Sequence, residues 1–252
     1  MIKSNVNIEQ PIGEFESIKS ISIVLPVHNE CKNLEKLIPD WDNKLSKIDN
    51  LIYEYVIVED GSTDGTKELI KDFEKKYSIV NLSSHLKRGY GQAVLDGINA
   101  SNYEFILCTD SDNQITVHSL IDNINLLPKK NYFLFGARSP RKDPLHRIIY
   151  SKIFKVFHKL IFKSNLEDPS CPFVIGDKKL FNKMPQKLLL KMREGFWWGF
   201  VGVAIKLNIE IREVKIKHFK RTEGEAGYSL FKMPGIIIRN IIGLLIIKFT
   251  KL

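Results

Sequence analysis

Residues 105–114 read FILCTDSDNQ. Phe105, Ile106, Leu107 and Cys108 suit a buried strand, and Asp110 and Asp112 follow with one serine between them. Side chains two apart on extended backbone point to the same side. The two carboxylates therefore come together at the end of an apolar strand. Like charges so placed repel, and one ordinarily takes up a proton. A divalent cation removes the repulsion without one. Asp110, Asp112 and the amide oxygen of Gln114 are oxygen ligands of the kind Mg²⁺ and Mn²⁺ take, usually through a couple of carboxylates plus substrate phosphates. The plainer alternative is a polar turn capping the next helix, and the triplet alone leaves both open.

The same succession of apolar strand, polar strand end and helix recurs along the chain. SISIVLPVHNE predicts a strand at about 21–27. Leu34, Leu37, Ile38, Trp41, Leu45 and Ile48 then fall at helical spacing, with Pro39 expected to kink or divide the helix. YEYVIVEDGSTDGT predicts a second strand ending near Glu59, then a turn in which Ser62, Thr63 or Asp64 N-caps a helix to about Tyr77. A short strand near 79–82, a helix in GQAVLDGINAS, the strand EFILCTD, a helix at about 116–127 and the strand YFLFGAR complete the series. Alternation of this kind predicts an α/β fold: a Rossmann-like, mostly parallel sheet covered by helices on both faces.

Ligands of such sheets bind beyond the carboxyl ends of the strands. His28-Asn29-Glu30, Glu59-Asp60 and Asp110/Asp112/Gln114 all follow strand ends, so one crevice collects them. No GxxxxGK[ST] loop is present. GYGQAV (89–94) lacks the leading strand and final small residue of a dinucleotide fingerprint.

The 252 residues, 44% hydrophobic and 27% charged, suit one large domain with a small appendage. Cys31, Cys108 and Cys171 are scattered and odd in number, which argues against a disulfide framework or structural zinc and suits a reducing compartment. Residues 1–20 carry no expected signal peptide, and no run of 18 apolar residues predicts a membrane-spanning helix. The net charge of +9 points to anionic partners: nucleic acid, acidic lipid or phosphorylated small molecules. Its excess sits at 138–163, where eight Lys/Arg face Asp143 alone.

Leu145, Ile148, Ile149, Ile153, Val156, Phe157, Leu160 and Ile161 recur there at helical spacing among Arg147, Lys152, Lys155, Lys159 and Lys163. This basic amphipathic helix either packs on the sheet or lies at an anionic membrane surface. MPGIIIRNIIGLLIIKFTKL (233–252) must cover its apolar residues with the domain, another chain or lipid, and lipid is the expectation. The expected division is an N-terminal extension (1–19), the α/β domain (20–229) and a membrane-associating hydrophobic helical tail (230–252).

IVLPVHNE (23–30), VEDGSTDGT (58–66), LKRGYGQAVLDGINAS (86–101) and DSDNQ (110–114) together resemble family 2 glycosyltransferases of GT-A fold, in order and spacing as well as content. GAR (136–138), HRIIYSKIFKVF (146–157), DPSCPF (168–173), EIREVKIKHFKR (210–221) and GEAGYS (224–229) resemble the polyprenyl-phosphate sugar transferase branch, which includes dolichyl-phosphate mannosyl- and glucosyltransferases. The resemblance spans about residues 20–240. It implies that Pro26, His28 and Glu30 border the donor's base, that Asp60 holds the nucleoside, and that Asp110, Asp112 and Gln114 bind Mg²⁺ or Mn²⁺ on the donor diphosphate. It further implies that Arg138, Arg147 and Ser151 receive the acceptor's phosphate, that Asp168 lies near the reacting sugar, and that Arg221 and the loop to Tyr228 close over the site. Glu59 and Pro172 depart from the usual Asp and Gly of the pattern.

The function so implied is inverting, metal-dependent transfer of a sugar from a GDP- or UDP-linked donor to a polyprenyl phosphate. It would take place peripherally at the cytoplasmic membrane face, without nucleic acid and with homo-oligomerisation left open. The alternatives are a hydroxyl acceptor in glycan or glycolipid synthesis, a sugar-phosphate nucleotidyltransferase, and a non-enzymatic basic module. PVHNE, standing where a nucleotidyltransferase carries a Gly-rich loop, weighs against the second, and the acidic strand ends weigh against the third. Asp168 is a general base for a hydroxyl acceptor, a positioner for a phosphate, or a turn cap before Pro169. The tryptophans of GFWWGF (195–200) are core residues or line the sugar or lipid path. The six histidines are not spaced as a metal set, although His218 is expected near the acceptor phosphate.

Overall fold

Strand β1 (Ser20–Val27) lies at the centre of the sheet, between β2 (Ile52–Asp60) and β4 (Phe105–Cys108), parallel to both. β3 (Ile79–Ser84) extends it on one side. On the other side stand β6 (Val174–Asp177), β5 (Tyr132–Arg138) and β7 (Glu210–Ile216), giving the order β3-β2-β1-β4-β6-β5-β7. Only β6 runs against the others, paired antiparallel to β4 and β5. The computed structural model describes residues 20–124, 132–192, 194–221, 223 and 233–252. The expected extension at 1–19, the segment 224–229 with Tyr228, and the end of the helix expected at 116–127 lie outside these residues.

Helices α1 (Cys31–Leu45), α2 (Thr66–Phe73), α3 (Tyr90–Ala100) and α4 (His118–Ile121) link the first strands. α5 (Leu145–Phe162), α6 (Lys178–Asn182), α7 (Gln186–Leu189), α8 (Phe196–Lys206) and α9 (Met233–Phe249) follow. β1, β4 and β5 are apolar almost throughout because both faces are covered, whereas the edge strands β3 (IVNLSS) and β7 (EIREVKI) carry polar and charged residues. Alternate residues feed two cores. Val24, Val56, Ile106 and Cys108 meet α3 and α8, while Ile23, Leu25, Ile57 and Leu107 meet α1 and α2.

Two local expectations are revised, and the structure shows which face of α5 meets the core. α1 runs undivided through Pro39. α2 stops at Phe73, whose ring meets Tyr77 edge-on, and its N-cap is Gly65 at φ +88°, a left-handed conformation that glycine adopts without strain. Asp64, one residue earlier, accepts from the Thr66 N–H at 3.2 Å. α5 buries Phe154, His158 and Phe162, a stripe spaced by four, and leaves most of its aliphatic residues in the open.

α9 differs most from the tail expected at 230–252. It packs on α5 and α8, with Leu244 and Ile247 fully buried in the same core as Trp198 and Phe200. Lys206 at the end of α8 donates to the carbonyls of Ile247 (2.8 Å) and Lys248 (3.0 Å), satisfying free acceptors at the C-terminus of α9. Among the described residues, no helix is long and apolar enough to cross a membrane.

Candidate active site

The parallel strands bring the predicted clusters to one edge of the sheet. Ser111 donates to the carbonyl of Pro26 at 3.0 Å, tying the turn after β4 to the end of β1. Asn29 and Asn113, both near φ +60°, turn the chain just beyond those strands. His28 Nδ1 donates to the Asp60 carbonyl at 2.9 Å, and the Asp60 carboxylate accepts the N–H groups of Arg88 (2.7 Å) and Gly89 (2.8 Å). Asp60 thus anchors the loop that leads into α3. Glu59 is fully buried, accepts from Ser62 N–H and Ser83 Oγ, and is held below the ordinary carboxylate range: burial opposes its charge, and these bonds with Lys67 outweigh it.

Asp110 and Asp112 stand together as the sequence predicts. Burial first, and the neighbouring Asp112 second, push the Asp110 carboxyl up to about 7. Burial raises Asp112 also. Asp110 Oδ1 accepts the Tyr90 hydroxyl at 2.8 Å, and that oxygen in turn accepts Trp197 Nε1–H at 2.8 Å. Asp112 Oδ1 accepts the Gln114 N–H at 3.1 Å. Among the described residues no hydrogen bond ends on the second oxygen of either aspartate: Asp110 Oδ2 is available to a cation, and Asp112 Oδ2 faces Arg221 at 3.8 Å. Gln114 donates its amide nitrogen to the Phe219 carbonyl at 3.1 Å, leaving its oxygen as the atom that can serve a metal. No group of three His, Cys, Asp or Glu side chains forms a self-sufficient metal site among the described residues. Two carboxylates and an amide fit a cation whose remaining ligands come from a substrate diphosphate.

Glu30, raised by burial, pairs with Arg221 and accepts from Asn33 Nδ2. Arg221 also lies 3.8 Å from Asp112, so the last basic residue of the 215–221 segment stands beside the Asp110/Asp112 pair. His218 is held neutral to about 4, by burial first and Arg138 second, and accepts the Lys142 N–H at 3.0 Å.

Across from Asp110 the arginines gather. The Arg138 guanidinium makes two hydrogen bonds to Asp168 and a third to Ser170, and the Arg138 backbone N–H also donates to Asp168 at 3.4 Å. Arg141 donates to Asp143 (2.5 Å) and to Ser151 Oγ (2.7 Å), while Arg147 reaches Asp143 at 3.4 Å. Burial alone would raise the Asp168 carboxyl, yet the bonds and charge of Arg138, with Arg141 and Ser170, bring it down to about 2. Asp110, Tyr90, Arg138, Arg141, Arg147 and Ser151 all line one cavity of about 320 Å³, walled elsewhere by α8 and α9. Arg141 and Tyr90 are not among the predicted site residues, and Trp197, expected in the core or along the sugar or lipid path, is both buried in the core and part of the cavity lining. Arg141 was visible only as part of the basic run, and nothing in the sequence marks the Trp197–Tyr90–Asp110 relay.

A mostly parallel sheet with one reversed strand, an Asp-x-Asp pair at the tip of β4 and an arginine-lined cavity beside it agree with the GT-A arrangement that the sequence resemblance implies. The model of the family "Glycosyl transferase family 2" matches residues 22–189, well over half the chain. The chain belongs to that family. It is 27% identical over 232 residues to an undecaprenyl-phosphate 4-deoxy-4-formamido-L-arabinose transferase of Yersinia enterocolitica, covering 90% of this chain and 68% of that one. It is also 27% identical over 252 residues to a dolichyl-phosphate beta-glucosyltransferase of Trichomonas vaginalis, covering 92% and 74%. Among solved structures, it resembles glucosyl-3-phosphoglycerate synthase of Mycobacterium tuberculosis in complex with Mn²⁺, UDP and glucosyl-3-phosphoglycerate. The TM-score is 0.65 at 17% identity, covering 92% of this chain and 81% of that one. The mannosyl-3-phosphoglycerate synthase of Rubrobacter xylanophilus gives 0.60 at 13% identity, over 90% and 72%.

Proposed function

We propose that the chain transfers a sugar from a GDP- or UDP-linked donor to a polyprenyl phosphate, with inversion, at the cytoplasmic face of a membrane. The observation that carries this is the single cavity joining Asp110 to Arg138, Arg141, Arg147 and Ser151. An acidic cation site beside a cationic pocket is what a leaving diphosphate and an incoming phosphate require. Mg²⁺ or Mn²⁺ held by Asp110, Asp112 and Gln114 would neutralise charge developing on the leaving diphosphate. Pro26, His28, Glu30 and Asp60 would hold the nucleoside end, and Arg221 would exchange Glu30 for the donor's phosphates.

The low pKa of Asp168 favours a phosphate acceptor over a hydroxyl. A carboxylate at about 2, locked to Arg138, is a poor base at neutral pH. A phosphate monoester is already anionic and needs none. Asp168 then serves by aiming Arg138, and Arg138, Arg147 and Ser151 hold the nucleophile in line on the face opposite the diphosphate.

The lipid end of the acceptor needs an apolar approach. α5 and α9, which form part of the cavity wall, leave Leu145 (72% exposed) and Leu160 (72%), on the helix that carries Lys152, Lys155 and Lys159 and ends at Lys163, and Phe249 (79%) in the open. Aliphatic residues interleaved with lysines suit the surface of an anionic bilayer. The test is a thermal-shift panel of GDP-, UDP- and dTDP-linked sugars with and without Mn²⁺. Stabilisation by one donor, dependent on metal and absent in Asp112→Asn, supports the donor site. Equal response in the variant counts against it.

A further inference from the structure

The cavity has a second wall that phosphate and metal leave unused. Glu194, just before α8, and Asn240, in the middle of α9, both line it. Glu194 Oε2 and Asn240 Oδ1 are buried, and neither accepts a hydrogen bond among the described residues. The other Glu194 oxygen takes Arg239 at 2.6 Å, so the side chain is held in place with one acceptor unused. Asn240 is only 8% exposed, and its amide packs 3.1 Å from where a Cβ on Gly195 would stand. Glycine at 195 is what lets that amide approach. A buried acceptor without a donor bears its full desolvation cost, and a native site that carries two calls for a ligand that supplies donors.

If the chain is the transferase proposed above, three chemical groups must meet in this cavity: a phosphate, an isoprenoid chain and a sugar. The phosphate is itself an acceptor and would be repelled by Glu194. The isoprenoid has no donors at all. Only the sugar, with its hydroxyl or amide hydrogens, can satisfy both oxygens. We infer that Glu194 and Asn240 form the sugar-recognition wall of the site and select the transferred sugar through hydrogen bonds that the sugar donates. Trp197 and Trp198 line the same cavity and offer aromatic surface for a ring to pack on. A site built to pair a hydroxyl rejects strongly an analogue that lacks it, so these two residues set which sugar is taken.

The test is calorimetric titration of the full chain with Mn²⁺, comparing each nucleoside diphosphate with its hexosyl derivative. Glu194→Gln keeps size and the Arg239 contact. Because Arg239 needs an oxygen, the amide nitrogen falls at the Oε2 position and turns an acceptor into a donor. Asn240→Leu removes the other acceptor, and Asn240→Asp retains it. Each loss should weaken the sugar-bearing donor about tenfold while leaving the bare nucleotide unchanged, and Asn240→Asp should bind near wild type. Thermal melting establishes folding, and Glu194→Gln carries the test if Asn240→Leu does not fold. Variants that bind the hexosyl donor as wild type does overturn the inference alone. A wild-type chain that binds neither nucleotide nor nucleotide sugar overturns the donor site on which it rests, and the inference with it.

Discussion

The side chains of Arg138 and Asp168 are joined by two hydrogen bonds, Nε to Oδ2 at 2.6 Å and a terminal nitrogen to Oδ1 at 2.9 Å, and are 9% and 10% exposed. Ser170 closes the arrangement by bonding to both. The end of β5 is thereby fastened to the loop that precedes β6, and the guanidinium faces the cavity in one fixed orientation.

Removing one member leaves the other charge buried with only a long ion pair, Arg138 to Asp143 at 3.8 Å or Asp168 to Arg141 at 3.9 Å. Asp168→Ala should cost roughly 3–5 kcal/mol in urea unfolding, far more than an exposed pair would. The pH dependence follows from the lowered carboxyl. With a folded value of about 2 against 3.8 ordinarily, the pair's contribution is present above pH 4 and is lost as pH falls toward 2. About 2 kcal/mol of acid sensitivity should therefore be missing from Asp168→Asn.

Tyr90 passes a hydrogen bond from Trp197 to Asp110. Tyr90→Phe leaves the indole N–H without its acceptor and Asp110 without its nearest donor. Titration should show Mn²⁺-dependent donor binding weakened by about 3- to 10-fold, with some loss of stability. Unchanged binding would separate Tyr90 from the site.

His158 is fully buried between Phe162 and Trp198, donates to the Trp198 carbonyl at 3.1 Å, and is held neutral down to about 4, chiefly by burial. The unfolded chain takes up a proton near 6.5 and the folded one does not, so stability falls as pH drops from 6.5 to 4. The contribution is about 3 kcal/mol. Denaturant midpoints for His158→Phe should lack that part of the slope.

The strand ends were legible in the sequence because each follows an apolar run that only a doubly covered strand explains. Asp110 and Asp112 could be placed together from the two-residue period alone. β6 was not legible: Val174–Asp177 is four residues long and finds its place only by pairing with β4 and β5, far away in the chain. The face of α5 stays open in the sequence for a related reason. Periodicity shows that Leu145 and Leu160 share a helix with Phe154, but not which stripe meets the core. α9 reads as a lipid-bound tail because apolar residues surround it; its contacts with α8 put part of that surface inside the domain. Glu194 and Asn240 carry no sequence signal, being 46 positions apart and joined only by the packing of α9.

Since α9 contributes Leu244 and Ile247 to the core, removing 233–252 would disrupt the domain as well as any contact with lipid. Surface substitutions are cleaner. Val156→Glu with Leu160→Glu, both exposed on α5, should abolish flotation with vesicles containing anionic lipid while leaving the melting temperature within a few degrees of wild type. Retained flotation would place the membrane contact elsewhere.

The most direct test of transfer to a lipid phosphate supplies labelled nucleotide sugars, Mn²⁺ and either undecaprenyl phosphate or the corresponding alcohol, and examines the lipid product. Transfer to the phosphate, giving a mild-acid-labile product that requires metal and disappears in Asp112→Asn, is the expected result. Transfer to the alcohol instead, giving a glycoside stable to mild acid, would contradict it.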